Sequence, residues 1–528
     1  MTRPTVSAAE AWRPDSLREA ADSWYDAATD VHEAFETAVL GVTDTHDLWT
    51  GSAAEAARNR ALEVGHGTDA LARAMVMAAV AARDGADQIA AARADVLARV
   101  TDARTEGFVV ADDGAASPTA PDPLLVALSG GDASVAHEML LVRAAELTRQ
   151  ITRALDRLAA ADADAAEDIA EAFASSVHMA EGDTRPASAT NNAVAGWPSM
   201  SQDRIATQIA AMSPTERQQL IEHFPKHVGN TDGVPWEMRI AANRINIAQA
   251  VIDDPGRADF YQTLLGEVDD PAGSGRRVDR QILAFDPGRA SLVELHGSLS
   301  TASSVAVLVP GMNTTMEGSP ANTATARRFV AATRGDVAMV TYLGGPFPQG
   351  DNVAAALLDA ANPRFALDMA PRLVAFSEDV DRTVDAEAAT GEPIPVTYIG
   401  HSYGGSILGT AEALGLTADR TLYVAAAGAG VGVDDPGDWH NRNPAVARFS
   451  MTAPGDLIQA VQGIPGGPHG ADPDHMLGVI PLATGHYDDG RPMAGPRAHS
   501  DLLNQPSDAW RNILGVITGD SETLHQAS

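Results

Sequence analysis

From Arg280 onward the chain alternates short β-type runs with helical stretches, and this alternation restricts the fold more than any other feature of the sequence. Gln281–Phe285 and Ser291–His296 are strand-length apolar segments separated by Asp286-Pro287-Gly288, residue types that favour a hairpin turn. Val305–Val309 is a continuous apolar run, as in a strand buried on both faces. The pattern then predicts a helix at about 319–334, a strand at Val337–Tyr342, a helix at Ala366–Ala388, a strand at Pro395–Ile399 and a helix at Ser402–Leu414. Strands at Thr421–Ala426 and Val446–Met451 complete the set. Such an order implies a mostly parallel sheet with helices on both faces, an α/β domain over 276–528.

The first half follows a different period. Leu17, Trp24, Val31, Phe35 and Val39 recur at helical spacing between Asp15 and Val42. After a break at Thr43–Trp49 an Ala-rich helix resumes past Gly51, with Leu71, Met75, Ala78, Ala82, Ile89, Ala92, Val96 and Val100 on one face. The prediction is an all-α hairpin over residues 1–110. Ala111–Asp132 carries Pro118, Pro121 and Pro123 and reads as a linker. Leu140, Leu147, Ile151, Leu155 and Leu158 mark a further helix running to about Glu181, and 182–195 reads as a second linker, so 111–195 comprises linkers and further helices. A helical segment over 196–275 leads into the α/β region. It contains a capping pattern at Ser213–Glu216 and a turn cluster, Gly229–Pro235, before a helix at Trp236–Val251.

Charge and composition exclude several functions. With 37 Lys and Arg against 71 Asp and Glu, the net charge of -34 repels phosphate backbones, so no nucleic-acid partner is expected. The chain has no cysteine, hence no disulfide, thiolate metal site or thiol nucleophile. Ala74–Ala82, the longest apolar run, is about half of what a membrane span needs. The first residues lack a basic region followed by an apolar stretch. The expectation is a chain without a transmembrane segment, cytoplasmic or exported without a cleaved signal peptide.

Chemistry concentrates at Gly400-His401-Ser402-Tyr403-Gly404, placed between a strand and a helix. A nucleophile elbow needs this sharp turn, with flanking glycines that admit close backbone approach and a serine presented above the sheet. The helix start brings backbone N–H groups to the point where negative charge would develop. The two oxyanion donors are then the N–H groups of Tyr403 and of Met312, in Val309-Pro310-Gly311-Met312-Asn313 after an earlier strand. Asn313 adds a side-chain donor or structures its loop. An acid and then a base are due after later strands. Asp456 follows Val446–Met451 and is the acid, or a helix N-cap before Leu457-Ile458; Asp434 and Asp435 are the alternatives. His499 is the base, in a C-terminal loop, with His469, His475 and His486 competing. His469, Asp472, Asp474 and His475 have the residue types of a metal site, but a polar loop is the simpler reading. Gly428–Gly432 is like a dinucleotide turn, yet Asp434-Asp435-Pro436-Gly437 follows where a helix would be needed, so no cofactor is expected.

Taken in order, Gly229-Asn230-Thr231-Asp232-Gly233-Val234-Pro235, Arg239 with Ala242-Asn243-Arg244, Val309–Met312, Gly400–Gly405, Ala453–Asp456 and His499-Ser500 resemble an actinobacterial α/β-hydrolase family of unknown function. The resemblance runs from about Trp197 onward and implies an α/β-hydrolase fold with a Ser402, Asp456 and His499 triad, without implying a substrate. Leu502 departs from it, standing where an aromatic residue is expected. Trp49-Thr50-Gly51, in the hairpin turn, is similar to the WXG-type helical proteins of type VII secretion, over roughly the first 105 residues. The Tyr-x-x-x-Asp/Glu export signal is missing.

The expected function is hydrolysis of an ester, esterase or lipase-like, through a Ser-His-Asp triad and an acyl-enzyme. Leu343, Phe347, Leu357 and Leu358 form either an apolar cap suited to a lipid-like acyl group or ordinary packing. The rival is a non-catalytic interaction protein whose residues 1–110 self-associate or bind a helical partner.

Overall fold

The computed structural model describes residues 3–45, 48–181, 193–350, 359–387, 393–462 and 467–527. They fall into two compact units, Met1–Arg185 with Ala248–Gly266, and Pro186–Ile247 with Glu267–Ser528.

The first unit is helical. Helices α1 (Val6–Ala11), α2 (Asp15–Thr43), α3 (Ser52–Thr105), α4 (Pro123–Leu128) and α5 (Ala133–Glu181) follow one another. α2 and α3 form the predicted hairpin, packed through Ala21, Ala79 and Ala82 with Leu17 and Trp24 around them. The third long helix, α5, covers the other part of α3. Ile89, Val96 and Val100 are buried against Leu147, Ile151, Leu155 and Leu158. Leu40, Leu48 and Trp49, near the hairpin tip, stay exposed.

The first predicted linker is instead ordered structure. Strands β1 (Phe108–Val110) and β2 (Ala116–Pro118) pair antiparallel. Phe108 is buried in the bundle core, and the Ala116 N–H donates to Thr148 Oγ1 at 2.9 Å. The prolines that suggested a linker sit at a strand end (Pro118) and at the first position of α4 (Pro123), where a missing N–H leaves no bond unmade. Of the second predicted linker, 182–192 lies outside the described residues. No helix among the described residues is long and apolar enough to cross a membrane.

The second unit is built on an eight-stranded sheet. After a small hairpin of β3 (Glu267–Asp269) and β4 (Arg277–Asp279) come β5 (Gln281–Asp286), β6 (Ser291–His296), β7 (Ser304–Val309), β8 (Val337–Leu343), β9 (Val396–His401), β10 (Arg420–Val424), β11 (Ala447–Met451) and β12 (Val479–Pro481). Their order in the sheet is β12-β11-β10-β9-β7-β8-β6-β5. β6 runs antiparallel to both neighbours, and every other pairing is parallel. This is the α/β-hydrolase fold. β12 was not foreseen, because three residues in a Gly/Pro-rich stretch carry no period.

β7 lies between β8 and β9, so the chain leaves it toward one side for β8 and resumes on its other side with β9. Open α/β sheets have a crevice at such a reversal, beyond the carboxyl ends of the strands. The Pro310–Met312 loop and the Ser402 turn both lie there, directly after β7 and β9.

Edge strand β5 is covered by the Gly229–Arg244 segment. Asn230 bonds both backbone groups of Phe285, Nδ2 donating to the carbonyl (3.1 Å) and Oδ1 accepting from the N–H (2.9 Å). Arg239 Nε donates to the Leu283 carbonyl, and Asn243 Nδ2 to that of Ile282. Arg239 is fully buried and its charge is met by Asp379 at 2.7 Å and Asp232 at 3.0 Å. The quoted motif is therefore a polar clamp on the sheet edge.

Candidate active site

Ser402 joins β9 to the helix Tyr403–Ala413 with φ 57° and ψ -121°. A serine there carries strain of order 1–3 kcal/mol that its surroundings must hold. Its N–H donates to the Val424 carbonyl at 3.0 Å, and its own carbonyl accepts from Gly405 and Ala427 at 3.0 and 2.9 Å. Two glycines make the turn possible. A methyl carbon on Gly404 would run into the Val309 and Pro310 carbonyl oxygens, and one on Gly311 would lie 2.7 Å from Ser402 Cβ. The β7 loop and the elbow thus touch backbone to backbone.

His499 is in the first turn of a helix, Ala498–Asn504, and not in the loop predicted for it. Leu502 and Leu503 drive this, since both are buried in the main core cluster; the residue that departs from the family pattern is an anchor. His499 Nδ1 donates to Asp456 Oδ2 at 2.8 Å. The other carboxylate oxygen, Oδ1, accepts the Ile458 N–H at 3.0 Å. Asp456 therefore serves as the local turn cap and as the partner of the imidazole at once, and with one oxygen on each it is fixed in orientation. His499 Nε2 is left as the basic nitrogen.

His401 supplies a contact that sequence reasoning missed, having marked it only as part of the elbow. Its Nε2–H donates to the His499 backbone carbonyl at 2.9 Å, with the two rings 5.0 Å apart. Burial and the neighbouring His499 hold the His401 imidazole down, to about 4, so it stays neutral near pH 7 and keeps the Nε2–H that a carbonyl requires. No short motif carries this signal, because the partner is 98 residues away.

Ser402, His401, His499, Met312 and Gly311 line one cavity of about 290 Å³, with Asp456 buried behind the imidazole. The Ser402 hydroxyl has no hydrogen-bond partner among the described residues. The Met312 N–H likewise has none, and the Tyr403 N–H is the first of its helix, where no intrahelical acceptor exists. Asn313 is engaged in its loop, donating from N to Pro348 and accepting from Gly350 at Oδ1.

The other candidates are elsewhere. Asp434 and Asp435 are exposed, and Asp435 caps a short 3-10 turn. His469 is buried, with Nδ1 bonded to Ser406 Oγ (2.9 Å) and Nε2 to the Ala360 carbonyl (2.7 Å). His475 is exposed and bonds Asp472. His486 lies 3.8 Å from Asp508 on the surface. His469 and His475 thus do not converge, and among the described residues no three His, Asp or Glu side chains form a metal-binding group. Leu343 and Phe347 are core residues, 1% and 2% exposed, and neither lines the cavity. Leu357 and Leu358 lie outside the described residues.

A family model described as alpha/beta hydrolase matches residues 286–465, a span that holds Ser402 and Asp456 but stops short of His499. Two curated sequences from Mycobacterium tuberculosis strains, the uncharacterized proteins Rv2079 and MT2140, are each 24% identical over 379 residues. The match covers 60% of this chain and 55% of theirs, so the chain spans about half the length of the curated relatives it matches. The crystal structure of TT1662 from Thermus thermophilus aligns at 16% identity over 39% of this chain and 90% of its own, with a TM-score of 0.21.

Proposed function

We propose that the chain is a serine hydrolase that cleaves a carboxylic ester through Ser402, His499 and Asp456. The observation that carries this is the 2.8 Å bond between His499 Nδ1 and Asp456 beside a serine held at φ 57° on the same cavity. His499 Nε2 takes the Ser402 proton as Oγ adds to the ester carbonyl, and Asp456 holds the ring in the needed tautomer and offsets the imidazolium. The oxyanion is received by the Met312 and Tyr403 N–H groups. As the tetrahedral adduct collapses, His499 returns its proton to the leaving alkoxide and an acyl-serine remains. Water then adds by the same route, with His499 as base, and release of the acid restores Ser402.

The test is labelling of the purified chain with a fluorophosphonate probe, alongside Ser402→Ala and His499→Ala. Labelling of the wild type that is lost in both variants supports the reading. No labelling of folded wild type overturns it and leaves the inactive-scaffold alternative, in which the helical unit's exposed tip would carry the function.

A further inference from the structure

We infer that the ester this site takes is short and hydroxylated, with a hydroxyl close to the scissile bond received by Asn322 and Ser500. This rests on the serine-hydrolase reading above. The cavity, at about 290 Å³, is near the lower end of small-molecule sites. Among the described residues its apolar wall is small, formed by Leu308, Pro310, Met312 and Leu503. Of the large apolar side chains that would suit a long acyl group, Leu343 and Phe347 are in the core, and Leu357 and Leu358 lie outside the described residues.

The polar wall can be accounted for bond by bond. Thr314 Oγ1 donates to the Gly311 carbonyl. Asn504 Oδ1 accepts from Thr325 (2.5 Å) and Arg328 (3.0 Å), while its Nδ2 donates to the Ser500 carbonyl. These groups are engaged. The half-buried Asn322 carboxamide and the exposed Ser500 hydroxyl line the same cavity and have no side-chain partner among the described residues. Ser500 directly follows His499, and Asn322 lies in the first turn of the helix Pro320–Ala332. An alkyl chain laid across them would strip their water and return nothing, whereas a hydroxyl near the ester replaces it. A site built this way discriminates against the analogue that lacks the hydroxyl.

Two ester pairs, each matched in carbon skeleton, distinguish which side of the ester carries the hydroxyl: 1-monoacetylglycerol against propyl acetate, and ethyl lactate against ethyl propionate. The expected result is that kcat/KM favours the hydroxylated member of at least one pair by about tenfold or more, the scale of one hydrogen bond. In Asn322→Ala that ratio should fall toward one. Equal rates within both pairs, a ratio untouched by Asn322→Ala, or rates that rise from acetyl to octanoyl nitrophenyl esters would overturn the inference. Fluorophosphonate labelling of Ser402 without any preference would sink this inference alone. Absence of both labelling and turnover would sink the hydrolase reading with it.

Discussion

His401 donates its Nε2–H to the backbone carbonyl of His499 at 2.9 Å, so the residue before the candidate nucleophile holds the backbone of the candidate base. The contact joins the end of β9 to the helix Ala498–Asn504 that carries the imidazole.

His401→Gln places an amide N–H near the position of Nε2, whereas His401→Leu fills the space without a donor. The expected outcome is a loss of about tenfold or more in kcat for His401→Leu with KM little changed, and recovery of most of it in His401→Gln. Steady-state kinetics on a hydrolysed ester check this. Equal losses in the two variants would reduce His401 to packing.

Asp456→Asn keeps an oxygen for the Ile458 N–H but takes the acceptor of the His499 Nδ1 proton away. A kcat lower by about three to four orders of magnitude is expected, with an unchanged circular dichroism spectrum. Asp435→Asn, altering only an exposed turn, should leave the rate intact. The reverse pattern would mean that the acid is misassigned.

Gly404→Ala drives a methyl group into the carbonyl oxygens of Val309 and Pro310, and backbone cannot rotate aside as a side chain does. Destabilisation of about 3 kcal/mol or more is expected, with loss of labelling at Ser402. A urea midpoint within error of wild type would show that the elbow and the β7 loop are not in contact.

Acid should weaken the fold through its buried histidines. Burial holds His296 down to about 4 although Glu294 pulls it upward. Between the unfolded value near 6.5 and that value the unfolded chain binds more protons, so stability is complete above about pH 6.5 and falls as the pH drops toward 4. The loss from His296 is about 3 kcal/mol at most. A urea midpoint lower at pH 4.5 than at pH 7, with a smaller drop in His296→Gln, is the expected result. Because acid also relieves the self-repulsion of a chain at net charge -34, the difference between the two proteins is the decisive quantity.

What could be read beforehand was what is written locally. β5 to β11 were visible because each is an apolar run bounded by turn residues, and the elbow because Ser402 sits where such a run becomes a helix. β1 and β2 were hidden by their length and by Pro118 in β2, and their pairing depends on Phe108 finding the core of a bundle completed by α5. The helix bearing His499 was hidden for a related reason, since Leu502 and Leu503 order it only by burial against distant strands. Asn322 and His401 acquire a place near Ser402 only through contacts across the fold. Asp456 is compatible with either part of its sequence reading, as one oxygen accepts the Ile458 N–H and the other the His499 Nδ1–H.

The clamp on β5 has a consequence for how this chain may be cut. Asn230, Arg239 and Asn243 occupy carbonyls along the outer side of that strand. A polypeptide begun at Arg280, where the strand pattern starts, would present those groups bare, with buried Asp379 deprived of Arg239 and left with Arg382 as its cation. Such an edge is a template for the next molecule's strand, and the truncated protein should grow into insoluble ribbons. The smallest well-behaved fragment carrying the candidate site must therefore begin upstream of Asn230, and the helical stretch before the sheet acts as the plug that keeps copies apart.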